Sequence, residues 1–178
     1  MGLGNPGEEY EATRHNAGAR VLGEFAKKNK NKNLVLLAPT TFMNRSGEAV
    51  GKMVKSKTAA KNLIVIHDDL DLPFGRFKIS FARGSGGHRG VESIIKKLKT
   101  ENFIRLRVGI APTSPHPNDR SVGRASGKIK KPVGEDKIVK FILGKFTPKE
   151  EIGLKKLMSK LLEALETITE AGLAPALN

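Results

Sequence analysis

The sequence predicts an α/β fold, a single domain with a mixed β-sheet flanked by helices, and three observations carry that expectation. Short apolar runs alternate along the chain with stretches whose apolar residues recur at helical spacing. Two other segments alternate strictly between apolar and basic residues, as half-exposed strands do. The length, 178 residues, suits one domain able to bury a core without disulfides or a structural metal, so residues 1–178 are read as one unit with no internal repeat.

The first element, Gly2-Leu3-Gly4-Asn5-Pro6-Gly7, reads as a strand end running into a turn, since glycine and Asn-Pro supply backbone angles that regular structure cannot use. A helix follows from about Ala17 to Lys28, with Ala17, Val21, Leu22 and Phe25 on one stripe. The apolar run Leu34 to Leu37 is expected as a buried strand stopped by Pro39. A second helix spans about Ser46 to Lys55, burying Ala49, Val50, Met53 and Val54. Leu63 to Ile66 is another buried strand, delivering His67-Asp68-Asp69 at its C-terminal end, the edge where parallel sheets bind ligands. In Arg76 to Phe81, Phe77, Ile79 and Phe81 point inward and Arg76, Lys78 and Ser80 outward; Arg105 to Val108 repeats the pattern. Between them a glycine loop, Arg83 to His88, feeds a helix with Val91, Ile94, Ile95 and Leu98 on its apolar stripe. Thr113 to Asp136 is expected as a mobile basic insertion, rich in Pro, Ser, Gly, Lys and Arg. Thr147-Pro148-Lys149-Glu150 is a capping box with proline at the first helical position, and Leu154, Leu157, Met158, Leu161, Leu165 and Ile168 form the buried stripe of the last helix.

Lys and Arg number 32 against 18 Asp and Glu, a formal charge of +14. A field of that sign favours an anionic polymer, because neutralising phosphates releases condensed counterions. Cysteine is absent, which excludes a disulfide scaffold and thiolate chemistry and points to a reducing, cytoplasmic setting. No apolar run approaches a membrane span, and no cleavable leader is expected before Gly2.

Hydrolysis of an ester needs a base active near neutral pH, a group that fixes its tautomer, and donors for the developing oxyanion. Of the four histidines, His15 follows a glycine turn and precedes a helix, where a side chain can face solvent and ligand together. His67 ends a strand, His88 begins a helix and His116 sits in the insertion. Asp68 lies at the mouth of the sheet and could ligate a hard cation or orient a histidine. Asp69 and Asp71 read better as a solvated turn before Pro73. Gly84-Ser85-Gly86-Gly87 lacks the Walker and Rossmann spacings, though a helix start after it would suit an anion. Phe42-Met43-Asn44 combines packing residues with an amide that is both donor and acceptor, suited to a peptide group or to a helix cap near Ser46.

Taken in order, these segments resemble the bacterial-type peptidyl-tRNA hydrolase family. The resemblance runs through Gly2 to Gly7, Tyr10 with Thr13 to Gly18, Pro39 to Asn44 with Ser46-Gly47, His67 to Pro73, Gly86-Gly87-His88, Arg105 to Gly109 and Phe141 to Phe146. It implies that His15 is the catalytic base, that Asp68 holds and polarises it, and that Asn5 reads a blocked amino group. It places Asn44 on the substrate's main chain with Phe42 and Met43 lining the same wall, Tyr10 near the tRNA end and Arg107 on tRNA phosphate; beside it, His88 and Arg89 are read as substrate contacts, and Lys78 and Arg105 of the basic strand faces as further phosphate contacts. It further implies peptidyl-tRNA as substrate, no metal or other cofactor, no membrane or obligate protein partner, and a cytoplasmic monomer that rescues stalled translation.

The chain departs from the family pattern in four places. The first strand is short, and so is the stretch between the first helix and Leu34. Arg89 stands where the family usually has asparagine, and it cannot accept a hydrogen bond. Ser80 stands where a lysine is usual, with Lys78 on the same face. A non-catalytic RNA-binding protein on the same fold is the alternative; a metal-dependent nuclease using Asp68 and Asp69 is more distant.

Overall fold

The computed structural model describes residues 1–113 and 128–172. In chain order the elements are α1 (Glu8–Glu11), α2 (Ala17–Lys28), α3 (Ser46–Met53), α4 (Lys57–Ala60), β1 (Ile64–Pro73), β2 (Phe77–Phe81), α5 (Arg89–Leu98), β3 (Ile104–Ala111), α6 (Glu135–Ile142) and α7 (Pro148–Ala171). The strands form one mixed sheet in the order β1-β3-β2, with β1 parallel and β2 antiparallel to β3. Met1 to Leu3 extend it beyond β1: Leu3 N–H donates to Ile66 O and Ile66 N–H to Met1 O, each at 2.9 Å.

Side-chain alternation divides the sheet into two unlike faces. Ile66, Ile79, Leu106, Val108 and Ile110 point to one side, where α2 and α7 cover them with Val21, Leu22, Phe25, Leu154, Leu161 and Leu165. Val65 and Phe103 point to the other, where α3 and α5 contribute Val50, Val91 and Ile94. Further along that second face the residues become polar, with Ser80 paired opposite Arg105 and Lys78 opposite Arg107. His67 Nε2, Ser80 Oγ and Arg105 Nε are buried there without a hydrogen-bond partner among the described residues.

Several expectations are corrected. Leu34 to Leu37 is not a strand: Leu37 O accepts Gly2 N–H at 3.2 Å, while Val35 and Leu36 face solvent. The few residues alongside it offer too short a ladder, and only Leu34 and Leu37 touch the cores. Met53 is exposed rather than buried. β1 does not end at Ile66 but runs to Pro73, because β3 supplies parallel backbone partners for His67, Asp68 and Asp69. Asp69 is therefore no solvated turn residue: its carboxylate accepts Arg107 Nε–H at 2.6 Å and Asp71 N–H at 2.7 Å.

Residues 114–127 of the expected insertion, His116 among them, lie outside the described residues. The described remainder is docked: Thr113 bridges Ile129, Lys130 N–H donates to Pro112 O at 2.8 Å, and α6 has begun by Glu135. Among the described residues no helix is long and apolar enough to cross a membrane.

Candidate active site

Close approach of α2 to β1 brings the key groups together. A Cβ on Gly18 would lie 2.2 Å from Ile66 O, so only glycine lets the helix settle on the strand. The turn before α2, Arg14 to Asn16, is thereby pressed against β1 and buried. His15 Nδ1 sits 2.9 and 3.0 Å from the two carboxylate oxygens of Asp68. A carboxylate accepts, so Nδ1 carries the proton and Nε2 is left as the unprotonated nitrogen of a ring that lines the cavity.

His88 reaches Asp68 from the other side. It is the N-cap of α5: its Nδ1 accepts from Gly90 and Val91 N–H at 3.2 and 3.3 Å, and Nε2 donates to Asp68 Oδ1 at 2.9 Å. His67 donates through Nδ1 to the Asp68 carbonyl oxygen at 2.7 Å and stacks edge-on to His88 at 4.7 Å. Burial alone would raise the Asp68 pKa, but the two adjoining imidazoles outweigh it and hold the carboxyl well below its ordinary value. Burial keeps His67 neutral, its pKa lowered far below the usual range.

Asn5 is oriented by its neighbours. Its Oδ1 accepts Met43 N–H at 2.8 Å, and its main chain is held by the amide of Asn16, which accepts Asn5 N–H and donates to Asn5 O. That bond fixes the amide's orientation, and Asn5 Nδ2 makes no hydrogen bond among the described residues while Asn5 lines the cavity. Arg14 spends its donors on Glu150, through Nε at 3.4 Å and Nη2 at 2.7 Å, and on the carbonyls of Phe141 and Gly144, while its guanidinium lies 4.4 Å from the Phe141 ring. It ties the turn carrying His15 to the end of α6 and the start of α7.

These groups line a cavity of about 780 Å³. Asn5, His15, Asp68 and His88 form its floor. Met43 is buried beside them, while Asn44 is exposed, makes no hydrogen bond among the described residues and does not cap α3. Phe42 stands at the mouth, edge-on to Tyr10 at 6.4 Å. Ile138, Val139 and Ile142 of α6 make the opposite apolar wall. Across the mouth Arg89 pairs with Glu135, and Lys131 with Asp71 at 2.5 Å.

The basic strands are placed differently from the sequence expectation. Lys78 is exposed and Arg107 half-buried on one face, but Arg105 is 3% exposed and holds Gly84 O at 2.8 Å through Nη1. Arg105 thus props up the glycine loop instead of facing solvent. The start of α5 is likewise less open to an anion than the sequence implied, since His88 already takes two of its N–H groups. Arg89 reaches Glu135 and not Asp68.

Sequence reasoning missed three contributors: His88 as a second partner of Asp68, Arg14 as a tie, and α6 itself. Helix α6 had a legible signal, a glycine at 134, acidic Glu135-Asp136 in the first turn and Ile138, Val139 and Ile142 at helical spacing. The other two depend on which distant residues meet.

His15, Asp68 and His88 each place one donor atom within 4.8 Å of the others. Nδ1 of His15 and Nε2 of His88 both face Asp68 Oδ1 at 2.9 Å, and the three form a hydrogen-bonded set. The carboxylates of Asp68 and Asp69 have separate partners, two histidines for Asp68 and Arg107 for Asp69.

Comparison with known proteins gives a consistent result. A protein-family model described as peptidyl-tRNA hydrolase matches residues 1–178. The peptidyl-tRNA hydrolase of Aquifex aeolicus is 38% identical over 93% of this chain and 86% of its own length. That of Thermodesulfovibrio yellowstonii is 35% identical over 100% of this chain and 95% of its own. The crystal structure of peptidyl-tRNA hydrolase from Acinetobacter baumannii superposes with a TM-score of 0.77 at 29% identity, covering 99% of this chain and 90% of that one. With the family model matching end to end, the chain belongs to the peptidyl-tRNA hydrolase family.

Proposed function

We propose that the chain hydrolyses the ester joining a peptide, or an N-blocked amino acid, to the 3′ end of tRNA, with His15 as general base on a water molecule. The observation that carries this reading is the His15–Asp68 pair: a buried carboxylate fixes Nδ1–H and leaves Nε2 as the base, on the floor of a cavity also lined by Asn5 and Asn44. Water gives its proton to Nε2 as it adds to the ester carbonyl, and Asp68 stabilises the imidazolium. The tetrahedral intermediate collapses, the proton passes to the departing ribose oxygen, and peptide carboxylate and tRNA are released. The residues of this chain suffice for each of these transfers.

The selectivity follows from Asn5. Because Met43 N–H engages its oxygen and fixes the amide's orientation, Asn5 presents its Nδ2 donors, which match the carbonyl oxygen of an acyl-blocked amine. A free α-ammonium is itself a donor and finds no partner there. Lys78 and Arg107 supply a phosphate-binding face, Tyr10 and Phe42 an aromatic edge at the mouth, and Arg89 a cation beside it. No finding favours the RNA-binding alternative over hydrolysis. Action as a monomer in the cytoplasm belongs to the same proposal, in keeping with a chain that carries no cysteine.

The test is release of N-acetyl-aminoacyl groups from tRNA, with unblocked aminoacyl-tRNA as the control. Release from the blocked substrate alone is expected. Equal release from both would remove the Asn5 reading, and release from neither would remove the function.

A further inference from the structure

Orienting a base takes one carboxylate and one imidazole, yet Asp68 has two imidazole partners. His15 Nδ1 and His88 Nε2 both lie 2.9 Å from the same oxygen, Oδ1. The rings differ in the work of the second nitrogen. In His15 it is left to the cavity. In His88 it is the N-cap acceptor for Gly90 and Val91 N–H, donors that a helix start otherwise leaves unsatisfied. An accepting nitrogen carries no proton, so His88 bears its proton on Nε2. Protonating the ring fully would set an N–H against two backbone N–H groups at the positive end of α5. His67, buried and edge-on at 4.7 Å, closes the site behind it.

We propose that His88 is a positioning residue for the hydrolysis: fixed as its Nε2–H tautomer by capping α5, it anchors Asp68 Oδ1 and divides the carboxylate between two imidazoles. The inference rests on the reading of His15 as the base. A buried carboxylate facing a single imidazole favours a permanent ion pair, and an imidazolium is no base. A second N–H donor on the same oxygen takes up part of the carboxylate's negative charge and so weakens its hold on the first imidazole. The other charged groups nearby are already committed: Asp69 of β1 to Arg107 of β3, Arg105 of β3 to Gly84, Arg14 to Glu150, and at the mouth Arg89 to Glu135 and Lys131 to Asp71.

Two measurements test this. Asparagine is a good N-cap but too short to reach Asp68 as well, so His88→Asn keeps the helix start and removes the carboxylate contact. The expected result is a fall in kcat of about tenfold at pH 7 with KM within about twofold, and an acid limb of the kcat/KM profile moved up by about one pH unit. A raised KM with kcat and the acid limb unmoved would overturn the proposal and make His88 a substrate contact. No change at all would leave it a helix cap alone. The second measurement needs no variant. Imidazole ¹⁵N spectra of the intact protein should show the neutral His88 ring with a bare Nδ1 and a protonated Nε2, and the opposite tautomer, with its proton on Nδ1, would overturn the assignment. Because the spectra read the tautomer without catalysis, they stand even where loss of activity in His15→Ala fails to appear and the base must be sought elsewhere.

Discussion

The floor of the cavity and its rim are built on opposite terms. On the floor His15 and Asp68 are 6% and 3% exposed, with His67 behind them at 1%, and the ring nitrogens of His15, His67 and His88 that face Asp68 are each aimed at one of its oxygens. On the rim Phe42 is 55% exposed, and the ties across the mouth are ion pairs between solvated side chains. Buried groups whose hydrogen bonds converge on one carboxylate hold one geometry, because moving any of them breaks bonds that water cannot replace. Exposed pairs contribute little and exchange readily for other partners. The difference fits a division of labour in which the chemical step depends on the floor and the handling of a large, charged substrate on the rim.

The sharpest way to break that division is to attack the floor. His15→Ala should lower kcat by about 10³-fold or more while tRNA affinity changes little, since it removes the base and leaves the phosphate face; single-turnover rates at saturating enzyme decide it. Asp68→Asn should cost about 10²-fold or more with the fold retained, because an amide cannot supply the charge that stabilises the imidazolium. A pH–rate profile unchanged in that variant would make Asp68 merely structural.

The floor also makes stability depend on pH. His67 is held neutral, its folded pKa below the unfolded value near 6.5. Above pH 6.5 neither state binds the proton and the contribution is intact; as pH falls below 6.5 the unfolded chain takes it up first and stability declines. Asp68, also depressed, adds a further loss only below about pH 4, the range where its unfolded carboxyl titrates. Denaturant midpoints should therefore fall between pH 7 and pH 5.5, and His67→Gln should flatten that slope. An equal slope in both proteins would show that His67 does not carry it.

How much of this was legible in the sequence follows the same division. Periodicity located α2, α5 and α7 because each buries one regular stripe, and the capping box Thr147 to Glu150 marked the start of α7 directly. The run Leu34 to Leu37 misled because apolar composition does not reveal whether a strand partner exists. His15, Asp68 and Asn5 could be singled out by position and resemblance. That Asp68 also meets His88, 20 residues away, and that Arg14 reaches Glu150, 136 residues away, depends on packing that no local pattern encodes. Arg105 illustrates the reverse error: alternation put it on a half-exposed basic strand, but the glycine loop folds over it and converts an expected surface cation into a buried prop.

The phosphate face lies between floor and rim in expected effect. Lys78→Ala should weaken tRNA binding severalfold and reduce the salt slope by about one unit, leaving the saturated single-turnover rate unchanged. Arg107→Ala should do more, because it also releases the Asp69 carboxylate that Arg107 now holds. A drop in the saturated rate for Lys78→Ala would extend the floor into β2.

The smallest expected effect is at Arg89, and it tests the rim most directly. Its partner Glu135 cancels its charge locally in the free protein, so Arg89→Asn removes a cation and also exposes an unpaired carboxylate at the mouth. Binding of tRNA should weaken by about threefold or less, in keeping with the small energies of exposed pairs, and cleavage of a short ester without the tRNA body should be unaffected. Glu135→Gln acts in the opposite sense: it frees Arg89 for phosphate and removes an anion from the substrate's path, so tRNA should bind slightly more tightly. If the two residues act through each other, the double variant will show less than the sum of the single effects, a non-additivity that independent surface charges would not produce. If Arg89→Asn instead lowers the saturated rate on the short ester by tenfold or more, Arg89 acts on the reacting groups themselves, and the separation of a rigid floor from an exchangeable rim fails at that residue.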